Sequence, residues 1–175
     1  RKMAIMKKWG IEDSKPIIGV IARHIEWKGI QFIIPAFKKF LNDHPSATLV
    51  LANATGPYHK TILMLLESIP RDRFVLIPFE EDIAALYSFF DLYVHTPIDP
   101  LCEAFGQTYI EALAAGVPSI FTMSGIANEF IEHEKNALVV PFKNSNAIYQ
   151  SLLRLWADVS LREKLISYGR HDVIS

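Results

Sequence analysis

The chain has 175 residues, 50% of them hydrophobic and 21% charged, a composition that can bury a single-domain core and excludes a disordered polymer. Eighteen Lys and Arg against nineteen Asp and Glu leave a formal charge of −1, without the basic excess of a nucleic-acid binder. One cysteine, Cys102, excludes an internal disulfide framework, and no apolar run approaches the roughly 20 residues of a membrane-spanning helix.

The opening RKMAIMKKWG is basic with apolar residues interspersed, and residues 1–14 read as a linker leading into a domain at 15–175. A peripheral contact with anionic lipid headgroups is the other reading of that segment. With Arg1 first and no secretory pattern, the sequence reads as part of something longer. Short β-rich runs then alternate with helix-period stretches. Strands are predicted at Pro16–Ala22, Ala47–Asn53, Phe74–Pro78, Asp91–Thr96, Pro118–Thr122 and Ala137–Pro141, nearly continuous apolar runs that suit strands buried on both faces. Helices are predicted at Gly29–Asn42, His59–Ser68, Glu81–Phe90, Gln107–Ala115, Ile126–His133 and Ala147–Ala157. A last amphipathic piece follows Ser160, where Ser160 and Glu163 have capping-box spacing. The pattern implies an α/β fold: a Rossmann-like, doubly wound, mainly parallel six-stranded sheet whose ligands bind beyond the carboxyl ends of the strands.

Those strand ends carry the chemistry. After the first strand, ARHIEWKGI places Arg23 and Lys28 on the way into a helix. Arg offers a rigid fork of donors to phosphate oxygens, Lys a mobile charge, and a helix start adds free backbone amides. The plain alternative is a solvated basic loop with Glu26 as an ion-pair partner. Further on, DPLCEAFGQTYIEALAAGVPSI sets Glu103 in a loop and Glu111 on the following helix, with Gly106 and Gln107 at the turn between them. A diphosphate can rest on the amides there, and carboxylates accept hydrogen bonds from vicinal hydroxyls of a ribose or hexose. Against this, Glu111 can merely compensate the helix dipole, worth about 0.3–1 kcal/mol. A glycosidase-like carboxylate pair is a further alternative, poorly matched to a helix-borne Glu beside a phosphate nest.

Taken together, Arg23-x4-Lys28-Gly29, Glu103-x7-Glu111, Phe105-Gly106 and Ala115-Gly116-Val117-Pro118 resemble glycosyltransferase family 4, over about Lys15 to Ser167. The resemblance implies the carboxyl-terminal, donor-binding half of a GT-B fold. It implies a retaining, metal-independent transferase acting on a glycan, glycolipid or small acceptor, as in polysaccharide biosynthesis. Arg23 and Lys28 would bind the donor diphosphate, and Glu103 with the amides of Phe105, Gly106 and Gln107 would hold the transferred sugar. Glu111 would take the ribose hydroxyls, Pro78–Phe79 would flank the base, and Gly125 would lie in a loop near the donor. No cofactor is implied beyond a UDP- or GDP-linked sugar as substrate. The partner implied is an N-terminal acceptor domain, and the location cytoplasmic, with the inner membrane face a candidate. No Asp-x-Asp motif or metal-ligand spacing occurs, and Glu80-Glu81-Asp82 reads as helix-dipole compensation.

The sequence departs from the family at Asn53-Ala54-Thr55-Gly56-Pro57, which keeps only Gly56-Pro57 of a Gly-rich turn. His24 and His95 fall at the presumed rim, where either can tune sugar choice or be a structural or surface residue; Cys102 reads as a small packed one, and Ile62–Leu66, Phe89, Phe90 and Trp156 as core. A non-catalytic GT-B-derived interaction module, or a GT-B epimerase or phosphorylase, stays as an alternative. The acceptor site is expected elsewhere, so the isolated chain is expected to bind donor without transferring.

Overall fold

The computed structural model describes residues 1–175. Six strands form one sheet: β1 (Ile17–Ile21), β2 (Thr48–Ala52), β3 (Phe74–Ile77), β4 (Leu92–His95), β5 (Ser119–Phe121) and β6 (Leu138–Val139). Their order is β3-β2-β1-β4-β5-β6, and each neighbouring pair is parallel. Every residue of β1, β2 and β4 is buried, which is why those runs are apolar without alternation. The chain winds outward from β1 to β3 and then returns to lay β4 beside β1, so the switch point lies between β1 and β4. In such sheets that crevice is where ligands bind.

Helices cover both faces. On one, α2 (Ile30–Asp43), α3 (His59–Leu66) and α7 (Ser145–Ala157) bury Ile33, Phe37, Phe40, Ile62, Leu152 and Leu155 against the sheet. On the other lie α1 (Lys2–Trp9), α4 (Ile83–Tyr87), α5 (Gln107–Ala115) and α6 (Ala127–Phe130), burying Met6, Leu86, Tyr109 and Leu113 among others. The last helix, α8 (Val159–Ile174), packs along α5 and sends Leu161 and Leu165 into the first face's core. No helix is long and apolar enough to cross a membrane. At the sheet centre Gly19 is obligatory in a plain steric sense: a Cβ there would stand 2.2 Å from the Phe90 ring.

Several local expectations are revised. Residues 1–14 were expected as a linker, yet they hold α1, whose Ile5 and Met6 are buried. The helix predicted over Ile126–His133 is one turn, Ala127–Phe130. The buried Asn136 amide accepts from Glu132 N at 2.9 Å and donates to Phe130 O at 2.7 Å, offering that backbone a competing partner. The helix predicted over Glu81–Phe90 shortens to Ile83–Tyr87, capped by Asp82. The cap of α8 is Asp158, which accepts from Leu161 N at 2.9 Å, and not Ser160. Within the expected core run, Ile62 and Leu66 are buried but Leu63 and Met64 are exposed.

Candidate functional site

At the end of β1 the chain passes Arg23 and His24, makes a 3-10 turn at Glu26–Lys28 and enters α2. Gly29 has φ 76° and sits so close to Thr96 that a Cβ would lie 1.9 Å from its carbonyl oxygen. Ile98 N donates to Trp27 O at 3.0 Å, tying this loop to the one after β4. The side chains complete the junction: Lys28 Nζ donates to Glu103 Oε1 at 2.6 Å. Two motifs read separately in the sequence, 75 residues apart, are thus one ion pair at the switch point.

A third loop backs the carboxylate. Glu103 N donates to Ser124 Oγ at 3.1 Å, and Gly125 N to Pro100 O at 2.9 Å. Gly125 has φ 58°, and a Cβ there would come within 2.4 Å of the Glu103 carbonyl oxygen. Its place is therefore behind Glu103, as a support for the loop.

Gly106 caps α5 with no side-chain acceptor; Tyr109 N closes on Gly106 O at 3.0 Å, and the amides of Gln107 and Thr108 are left without a capping side chain. They open on a groove of about 380 Å³ lined by Lys28, Glu103, Ala104, Phe105, Gly106, Gln107 and Thr108. Positive charge, a carboxylate and a helix N-terminus on one groove suit a ligand that is anionic at one end and hydroxylated at the other. Glu111, one turn into α5, accepts from Tyr87 Oη at 3.2 Å and lines a second cavity of about 500 Å³ with Ile83, Ala84, Tyr87 and Ser88. Arg23 and Phe79 project into solvent, and the Arg23 guanidinium makes no hydrogen bond or ion pair within the protein. The structure gathers Lys28, Glu103, Phe105, Gly106 and Gln107, places Glu111 on the second cavity one turn along α5, and leaves Arg23 beyond the end of β1 and Pro78 and Phe79 beyond the end of β3.

Electrostatics sharpen the centre. Burial is the largest single influence and favours a neutral Glu103, but His95 and Lys28 together outweigh it, and the carboxyl ionises well below the usual carboxylate range. Beneath it lies His95, 1% exposed, kept neutral by burial despite the pull of Glu103. His24 is fully buried too, so neither histidine is a rim residue. Its Nδ1 meets His59 Nδ1 at 2.7 Å, and burial together with the charge of His59 lowers it to about 4. Cys102 is half-buried, and burial with Asp99 nearby raises its thiol, the opposite of an activated thiolate.

The Pro78–Phe79 turn is braced from α1. Glu80, 5% exposed, accepts from Lys8 Nζ at 2.6 Å and Trp9 Nε1 at 2.9 Å, and its other oxygen takes Asp82 N at 3.0 Å. These bonds, that of Lys8 foremost, lower its carboxyl to about 2. In sequence Glu80 is one of three acids at a helix start; only Asp82 caps the helix, and nothing local marks Glu80 as a brace. His95 closes a strand, but only the strand order shows that this strand flanks the switch point.

An open parallel sheet with this constellation at its switch point defines a Rossmann-like domain built to meet an anionic, hydroxylated ligand. Comparison with known proteins narrows the class: the sequence model described as glycosyl transferases group 1 matches residues 2–172. The chain belongs to that family, as one half of its GT-B architecture. It is 29% identical over 174 residues to the uncharacterized glycosyltransferase MJ1607 of Methanocaldococcus jannaschii, covering 98% of this chain and 44% of that protein. Among solved structures it matches the C-terminal domain of a glycosyl transferase group 1 family protein, LpcC, from Francisella tularensis. The TM-score is 0.84 at 26% identity, with 97% of this chain and 90% of that one covered. Anabaena Alr3699/HepE, solved with UDP and glucose, has the same fold at a TM-score of 0.86 and 22% identity, with 99% of this chain and 48% of that one covered. The chain spans less than half the length of the curated relatives it matches.

Proposed function

We propose that this chain binds the nucleotide-sugar donor, UDP- or GDP-linked, of a retaining and metal-independent glycosyltransferase. The observation that carries the reading is the meeting of Lys28 and Glu103 at the uncapped amides of α5. Lys28, the exposed Arg23 and the α5 N-terminus face the diphosphate, Glu103 takes a sugar hydroxyl, and Glu111 takes the ribose hydroxyls. Pro78 and Phe79 flank the base. The anomeric C–O bond to the diphosphate breaks, the acceptor oxygen takes its place on the same face of the sugar, and the acceptor's hydroxyl proton passes to the departing diphosphate. Charge then builds on the departing nucleoside diphosphate, where fixed cations and amides stabilise it without reorganising. The bound UDP and glucose of the Anabaena structure support the ligand class. An acceptor domain outside this chain supplies the glycan, glycolipid or small acceptor, and the donor's chemistry puts the reaction in the cytoplasm.

Calorimetric titration with UDP, GDP, ADP and their sugar conjugates tests this. One nucleotide should bind selectively, and Lys28→Ala or Glu111→Ala should each weaken it by roughly 10- to 100-fold, the worth of a hydrogen bond to a charged group. A folded protein that binds none of them, or binds indifferently to both substitutions, would overturn the assignment.

A further inference from the structure

β4 ends under the Lys28–Glu103 pair, and its last residue is His95. The ring is 1% exposed and stands edge-on to Tyr109, with centroids 5.0 Å apart at 84°. Its Nε2 lies 3.3 Å from Glu103 Oε1, outside good hydrogen-bond alignment, so both ring nitrogens are buried without a partner. Buried polar atoms nearly always find a partner, and those that do not call for a reason. Next to it, Thr96 also buries an unpaired hydroxyl.

The neighbouring carboxylate favours one placement of the imidazole proton. A neutral imidazole has one N–H. Placed on Nδ1, it would leave the Nε2 lone pair facing an ionised carboxylate; placed on Nε2, it points at Oε1. Lys28 addresses that same oxygen at 2.6 Å, while Oε2 receives no hydrogen bond from the protein. A diphosphate in the groove competes for Lys28, and a carboxylate whose main restraint is drawn away would be free to turn.

We propose that His95 is a positioning residue that holds Oε1 of Glu103 when Lys28 turns to the diphosphate, so that Oε2 stays presented to a hydroxyl of the transferred sugar. The loose contact in the free protein is the reserve that closes on donor binding. This inference rests on the donor-binding reading above.

The test titrates wild type, His95→Asn, His95→Gln and Glu103→Gln with the bare nucleoside diphosphate and with its sugar conjugate. A Gln amide nitrogen reaches about where Nε2 stands, whereas that of Asn reaches only the place of Nδ1. His95→Asn should weaken the conjugate roughly tenfold and leave the bare diphosphate within about twofold, and His95→Gln should recover most of the loss. Equal weakening of both ligands, no weakening, or no recovery by Gln would reduce His95 to a packing residue. If Glu103→Gln shows the sugar-selective loss and His95→Asn does not, this inference alone falls. If Glu103→Gln shows none, or no nucleotide binds, the site assignment falls with it. Nitrogen NMR of the wild-type imidazole is independent of any variant's folding: a proton on Nε2 whose resonance moves when the conjugate is added supports the role, and a proton on Nδ1 overturns it.

Discussion

Among single residues, His24 gives the sharpest energetic handle. Burial, then the charge of His59, lowers its imidazole to about 4, whereas in the unfolded chain it takes up a proton near the ordinary value of about 6.5. The unfolded state therefore binds more protons between these two values. Stability from this group is complete above pH ~6.5, falls as pH drops toward 4 and is level below that. The integrated loss once pH is below both values is about 3 kcal/mol. His95, also lowered by burial, pulls the same way, and the depressed carboxyl of Glu103 adds a separate loss below its ordinary range of about 4.3. Urea unfolding of wild type and His24→Gln at pH 7.5 and 4.5 isolates the His24 share: wild type should lose about 2–3 kcal/mol more than the variant on acidification. An equal loss in both would show that His24 titrates normally. None of this was legible in the sequence, because burial belongs to the packing of two loops, His24 N on Thr55 O and Tyr58 N on His24 O. Lys28 and Glu103 were singled out through the family resemblance of Arg23-x4-Lys28-Gly29 and Glu103-x7-Glu111, but their pairing across 75 residues was not, because it depends on the strand order.

Elements were legible where one local cause dominates. Each of the six strands is recovered within a residue or two at its ends, because a buried parallel strand must be apolar throughout. The starts of α4 and α8 were misread, as was the end of α6, and capping explains the two starts. Ser160 has the right spacing to Glu163, but Asp158 is the residue whose carboxylate reaches Leu161 N. Asp158→Ala should cost about 1 kcal/mol and Ser160→Ala less than about 0.5, measured as paired denaturant midpoints. The reverse order would restore the capping box. α1 went unread for a different reason. It is short, with nothing in its first turn to cap it and three lysines interrupting its apolar positions. Its order comes from contacts with a distant turn: Arg1 with Asp82, and Lys8 and Trp9 with Glu80.

On the scale of the whole molecule, the sequence pattern implies a doubly wound sheet but not its strand order. Nothing local says that β4 returns beside β1; that choice rests on which faces the helices between them bury. Once the order is known, the crevice between β1 and β4 selects the loops that matter, and the paired Lys28 and Glu103 lie there. The chain covers 90% of a Francisella tularensis domain crystallised without the rest of its protein, so folding as a separate unit has a counterpart. Binding and transfer should then come apart. A ligand that binds only the folded state at 100 times its Kd adds about 2.7 kcal/mol, which for a domain of this size raises Tm by roughly 5–10 °C. We expect that shift with one nucleotide-sugar, and expect glycoside formation from any offered acceptor to stay near the uncatalysed background, since the sugar's outer face is open to water. Turnover at the roughly 1–10³ s⁻¹ of ordinary enzymes would mean that the acceptor site lies within these 175 residues. A Tm unmoved by every nucleotide tried would mean that the diphosphate groove is completed only by residues outside the chain, and Lys28 would then keep its place on Glu103.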